Sequence, residues 1–73
     1  MSHDKLIYMA NQIARAFAAL PQDKAAANTA THINDFWDPR MRAQFLAHVA
    51  AGGEGLSEVA LAAAAAVHPP RAA

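Results

Sequence analysis

The chain of 73 residues contains no cysteine, and that absence excludes a disulfide framework, a thiol nucleophile and any zinc or iron–sulfur site held by this chain's own thiolates. It also has no excess of either charge. Six Lys and Arg balance six Asp and Glu, so nothing in the composition marks a nucleic acid or an anionic membrane as a partner. Glycine is scarce, with three residues confined to Gly52, Gly53 and Gly55. Long hydrophobic runs are missing too: the longest, Val59 to Val67, is far short of the roughly 20 residues a bilayer requires. Asp4, Lys5, Asn11, Gln12 and Arg15 break up the start, which therefore does not resemble a signal peptide. A single unit in a reducing compartment, outside any membrane, is the expectation.

Alanine dominates what is present. Of the 55% hydrophobic residues, 21 are alanines, each carrying little apolar area, which leaves 19 larger apolar side chains. A core of this size supplies about 3–5 kcal/mol, and chains this short usually gain a staple or a partner. With disulfides excluded, a partner is the expected staple.

The patterning is helical throughout. Ser2 is placed to cap a first helix running to about Leu20, with Asp4 at its positive end and Leu6, Met9, Ile13, Phe17 and Leu20 forming an apolar stripe. A second helix is predicted from Pro21 or Gln22 to Phe36, with Pro21 at its first position and Asp23 just inside. Asp38 and Pro39 read as cap and first residue of a third helix to about Ala51, where Gly52 serves as a left-handed terminator. Ser57 caps a fourth through Val67, before the Pro69 break. The fold class expected is all-α, a small bundle of three to four short helices over residues 1–68, with residues 69–73 a disordered tail.

Candidate catalytic groups are sparse. His3, His32, His48 and His68 sit on separate predicted elements without the i, i+3 or i, i+4 spacing of paired ligands, so no metal site is expected within the chain. His32 and His48 read as donors near helix C-termini. No hydroxyl residue stands in a nucleophile elbow, and Gly52-Gly53-Glu54-Gly55 lacks the Lys and Ser/Thr of a phosphate loop. Asp35 and Asp38 flank Phe36-Trp37, yet a helical unit this small offers no deep cleft to separate their pKa values. No catalytic, cofactor-binding or metal-ligating residue is assigned.

The residues that stand out suit binding. Phe36, Trp37, Pro39, Arg40, Met41 and Arg42 crowd the junction of the second and third helices, and Trp, Arg and other aromatics are the usual hot spots of interfaces. Adjacent helical residues point about 100° apart, so Phe36 and Trp37 cannot both serve one internal core. Tyr8, Asn11, Gln12 and Arg15 form a second candidate patch. On the residues alone, a module that self-associates through the first helix's stripe is the alternative.

Lys5 to Ala14 together with His32 to Arg42, above all the string from Phe36 to Arg42, resembles the delta subunit of cytoplasmic NAD-dependent, molybdenum-containing formate dehydrogenases over roughly Lys5 to Leu61. That resemblance implies a non-catalytic accessory subunit that stabilises, or helps mature, a complex oxidising formate to carbon dioxide. The large alpha subunit of such a complex carries bis-molybdopterin guanine dinucleotide and iron–sulfur clusters. Its beta and gamma subunits carry FMN and further clusters. The delta chain is implied to hold no cofactor and to contact the alpha subunit, with no nucleic acid or membrane as partner.

Overall fold

Four helices account for most of the chain in the computed structural model, which describes residues 2–70. They are α1 (His3–Ala16), α2 (Gln22–Phe36), α3 (Pro39–Ala50) and α4 (Glu58–Ala63), the last continuing as a 3₁₀ turn over Ala64–Ala66. There is no strand among the described residues. The all-α expectation holds. Among the described residues, no helix is long and apolar enough to cross a membrane.

The starts of the helices follow their capping residues. Ser2 Oγ accepts from the Lys5 N–H at 3.2 Å, Asp38 Oδ1 from Met41 N–H at 2.8 Å, and Ser57 Oγ from Ala60 N–H at 3.2 Å. Each satisfies an N–H that has no partner inside its helix. Pro21 differs from its expected place at the first helical position. With φ −52° and ψ 148° it is the N-cap itself, and its carbonyl takes the Ala25 N–H.

The ends depart further from the pattern. α1 stops at Ala16, four residues before Leu20, because Phe17, Ala18 and Leu20 donate to carbonyls three residues back and tighten the chain into turns. Leu20 therefore leaves the stripe and is exposed. α3 ends at Ala50, as its glycines dictate: Gly52 N–H bonds Val49 O and Gly53 N–H bonds His48 O, the paired bonds of a Schellman terminus. Gly53 has φ +66°, and Leu61 Cδ2 lies where its Cβ would be. The α-helical part of α4 is shorter than the span to Val67. Asn34 Nδ2 donates to Ala66 O at 3.0 Å and Asn34 Oδ1 accepts from His68 N–H at 2.8 Å, holding the backbone where it leaves the helix. Of the expected tail, Pro69 and Pro70 have no regular structure, and 71–73 lie outside the described residues.

The core is built from Leu6, Ala10, Ala30, Ile33, Trp37, Phe45, Ala63 and Val67, with Met9, Ile13, Met41, Leu46, Val49 and Leu56 packed on it. Alanine's role is to permit close approach. The most extensive helix contact is α2 on α4, and the buried faces there are Ala25, Ala26, Thr29, Ala30 and Ile33 against Ala60 and Ala63. Thr29 is fully buried without penalty, because its hydroxyl donates to Ala25 O at 2.7 Å. A radius of gyration of 11.1 Å matches the roughly 11 Å expected of a folded domain of this length. Part of the α1 stripe is spent here: Leu6 is buried and Met9 and Ile13 pack on the core, while Leu20 is exposed.

Candidate partner-docking surface

The α2–α3 corner is made by two residues. Trp37 ends α2 with φ −89° and ψ 136°, its N–H still donating to Ile33 O, and Asp38 at ψ 165° opens α3 with Pro39 at its first turn. The rotation of about 100° between neighbouring helical residues separates the two aromatics. Trp37 swings inward, 5% exposed, with its ring edge-on to Phe45 at 6.0 Å between centroids. Phe36, the last residue of α2, points out and is 73% exposed, flanked by the His32 ring at 4.6 Å.

The rest of the expected corner also divides. Pro39 and Arg40 are exposed beside Phe36 in sequence, whereas Met41 packs partly against the core. Arg42 is engaged internally. Its Nη1 donates to Trp37 O at 2.8 Å and its Nε to His68 O at 2.9 Å, so it ties the corner to the segment after α4. The outward-facing set is thus Phe36, Pro39 and Arg40, and the inward set, Trp37, Met41 and Arg42, holds that surface in shape.

The α1 patch divides in the same way. Tyr8 is 62% exposed and accepts at its hydroxyl from Gln12 Nε2 at 3.1 Å, while Arg15 is exposed one turn on. Asn11 faces the other direction: its Nδ2 donates to Gly55 O at 2.8 Å and its Oδ1 accepts from Ser57 N–H at 2.9 Å. Asn11 and Asn34 are therefore equivalent clamps, each closing on a carbonyl and on the N–H two residues later, at opposite ends of the α4 segment. Sequence reasoning missed this use of both asparagines. The only local signal is a poor helix former placed mid-helix beside the apolar stripe. Replacing Asn34 by Ala is expected to lower stability by about 1–3 kcal/mol, since two backbone groups lose their partner, and to lower the melting temperature by several degrees. A calorimetric scan that leaves the melting temperature unchanged would contradict that role.

Among the described residues, no group of three or more His, Asp or Glu is arranged to hold a metal ion. His32 lies against Phe36, and His68 is exposed. His3 and His48, 45 residues apart, meet with their rings at 78° to each other and 2.8 Å between His3 Nε2 and His48 Nδ1. Spacing along the sequence gave no sign of this pair.

Comparison with known proteins gives one informative result. No curated protein and no solved structure matches the chain. The family model for the NADH-dependent formate dehydrogenase delta subunit, FdsD, matches residues 5–64, which takes in α1, α2, α3, α4 and the exposed corner. The chain belongs to this formate dehydrogenase delta-subunit family.

Proposed function

We propose that this chain is a non-catalytic accessory subunit that docks on the large alpha subunit of a cytoplasmic NAD-dependent formate dehydrogenase, through the outer side of the α2–α3 corner. The observation that carries the reading is Phe36. A phenyl ring 73% exposed at the end of α2, with the exposed Arg40 four residues on, offers a partner the aromatic and planar cation that interface hot spots favour. Arg40 supplies a planar fork for a partner carboxylate. Tyr8, Gln12 and Arg15 form a second, more polar contact. Membership of the delta-subunit family supports a complex as the setting.

On this reading formate oxidation belongs to the partners. The alpha subunit carries bis-molybdopterin guanine dinucleotide and iron–sulfur clusters, and beta and gamma subunits bearing FMN and further clusters pass electrons to NAD. The delta chain contributes by covering alpha-subunit surface, which stabilises the mature enzyme or the form that receives its cofactor. Deleting the chain from its host tests this. Formate-dependent NAD reduction is expected to fall severalfold and to return with the parent chain but not with Phe36→Ala. Unchanged activity in the deletion strain would contradict the proposal. Molybdenum content of the alpha subunit, measured in the same strain, separates the two roles, because a maturation role lowers it and a purely stabilising one does not.

A further inference from the structure

We propose that the face where α2 meets α3 is a recognition groove for an extended aliphatic peptide, filled here by the chain's own Ala66–Val67–His68, and that a segment of the docked partner takes the same groove in its place. The partner's use of the groove rests on the docking role above, whereas the groove itself stands on its own contacts.

The strap from Ala66 to His68 is held as a bound peptide is held. After the 3₁₀ turn its backbone is extended, with Val67 at φ −80° and ψ 126°. Asn34 Nδ2 donates to Ala66 O at 3.0 Å and Asn34 Oδ1 accepts from His68 N–H at 2.8 Å, so one amide reads a carbonyl and the N–H two residues on. Arg42 Nε donates to His68 O at 2.9 Å. Between these contacts the Val67 side chain is 5% exposed and joins the buried cluster of Ile33, Trp37 and Phe45, while Ala66 and His68 are exposed. Main-chain bonds for affinity and a pocket for one side chain are the two parts of extended-peptide recognition. All three polar contacts fall on backbone atoms, so the aliphatic side chain at the centre is what the groove selects.

The strap can leave without unravelling a helix. The other clamp, Asn11, closes on a loop fixed at both ends by α3 and α4, but the strap runs on into Pro69 and Pro70, which have no regular structure and no N–H to donate. Segments held at one end by side-chain bonds open locally at less cost than the whole fold. Two observations tie the groove to the docking corner. Arg42 Nη1 holds Trp37 O at 2.8 Å, so one guanidinium joins the strap to the residue after Phe36. The span matched by the delta-subunit family model, residues 5–64, takes in Asn34, Trp37 and Arg42 and stops before the strap. Displacing the strap frees Arg42 Nε and opens the Trp37 cluster beside Phe36, the residue types that dominate interface energetics. A partner segment of extended backbone with Val or Ile at its centre makes every contact that the strap makes. The tethered strap competes with it at high effective concentration, so loosening the strap strengthens docking.

The test uses the full chain carrying Val67→Asp, a charge the pocket rejects, and reads the fluorescence of Trp37, the one tryptophan. Helix content by circular dichroism is expected to persist while Trp37 emission moves to longer wavelength. A synthetic peptide of Ala64–Pro70 is expected to bring the emission back, and the same peptide with Val67→Asp is not. Adding Asn34→Ala to the chain should weaken peptide binding about tenfold. Against the purified large subunit, the Val67→Asp chain should bind severalfold tighter than the parent, and excess Ala64–Pro70 peptide should cancel that gain. Should Val67→Asp lose its helices, His68→Pro, which deletes only the N–H that Asn34 Oδ1 accepts, takes its place in every arm. Loss of helix content in both variants, or emission that the peptide leaves unmoved, would overturn the groove. Peptide binding without a gain in docking would overturn the partner's use of it. Phe36→Ala docking as tightly as the parent, with the Val67→Asp gain retained, would instead overturn the role of Phe36 and leave the groove standing.

Discussion

Trp37→Ala is expected to leave the isolated chain largely unfolded at room temperature. Truncating a buried large aromatic costs about 3–5 kcal/mol, and a domain of this size has only about 3–5 kcal/mol to lose. Trp37 is 5% exposed and packs edge-on against Phe45. No disulfide compensates. Far-UV circular dichroism with a thermal melt measures the effect: the variant should show most of its helical signal gone, while Arg40→Ala stays within about 0.5 kcal/mol of the parent. A Trp37→Ala chain melting within a few degrees of the parent would place the ring outside the core.

Phe36→Ala is expected to do the reverse, keeping the fold and losing the partner. The side chain is 73% exposed and contacts the core little, so its loss should shift stability by no more than about 0.5 kcal/mol. At an interface hot spot the same truncation costs about 2 kcal/mol or more, which is roughly a 30-fold weaker dissociation constant. Titration of the purified large subunit with labelled parent and variant chains reads this directly. Equal affinities would move the docking face to the Tyr8 and Arg15 side of α1. The neighbours Phe36 and Trp37 thus separate binding from folding, one residue each.

That separation was half legible in the sequence. Two adjacent aromatics on a helix cannot both enter one core, but which enters depends on which face of the helix is buried. Trp37, whose N–H still bonds Ile33 O, continues the buried line of Ala26, Ala30 and Ile33 at helical spacing, and the rotation of about 100° per residue carries Phe36 outward. The caps Ser2, Asp38 and Ser57 were readable because donor and acceptor lie three residues apart. The glycine terminator of α3 was readable for the same reason. What the chain joins over long distances was not. Asn11 to Gly55, Asn34 to Ala66, Arg42 to His68 and His3 to His48 span 26 to 45 residues, and no local pattern encodes such pairings. Arg42 shows the consequence: composition marks it as an interface arginine, while the fold uses both ends of its guanidinium to secure the corner.

The alanines were also misjudged by area alone. Each buries little surface, but on α2 and α4 they let two helix backbones approach closely, and Thr29 fits between them by bonding back to its own helix. A thin core and an exposed phenyl ring belong together in this protein. On the proposed function, the bundle holds one corner in position and a partner supplies the remaining stabilisation.

The most direct measurement is to purify the tagged chain from its native host at mild salt and record co-eluting masses, visible absorbance and formate-dependent NAD reduction. The account predicts large subunits with flavin and iron–sulfur absorbance and an active pool, all absent when Phe36→Ala is the bait. A parent chain that elutes alone and colourless, or a Phe36→Ala bait that retains the full complex, would contradict it.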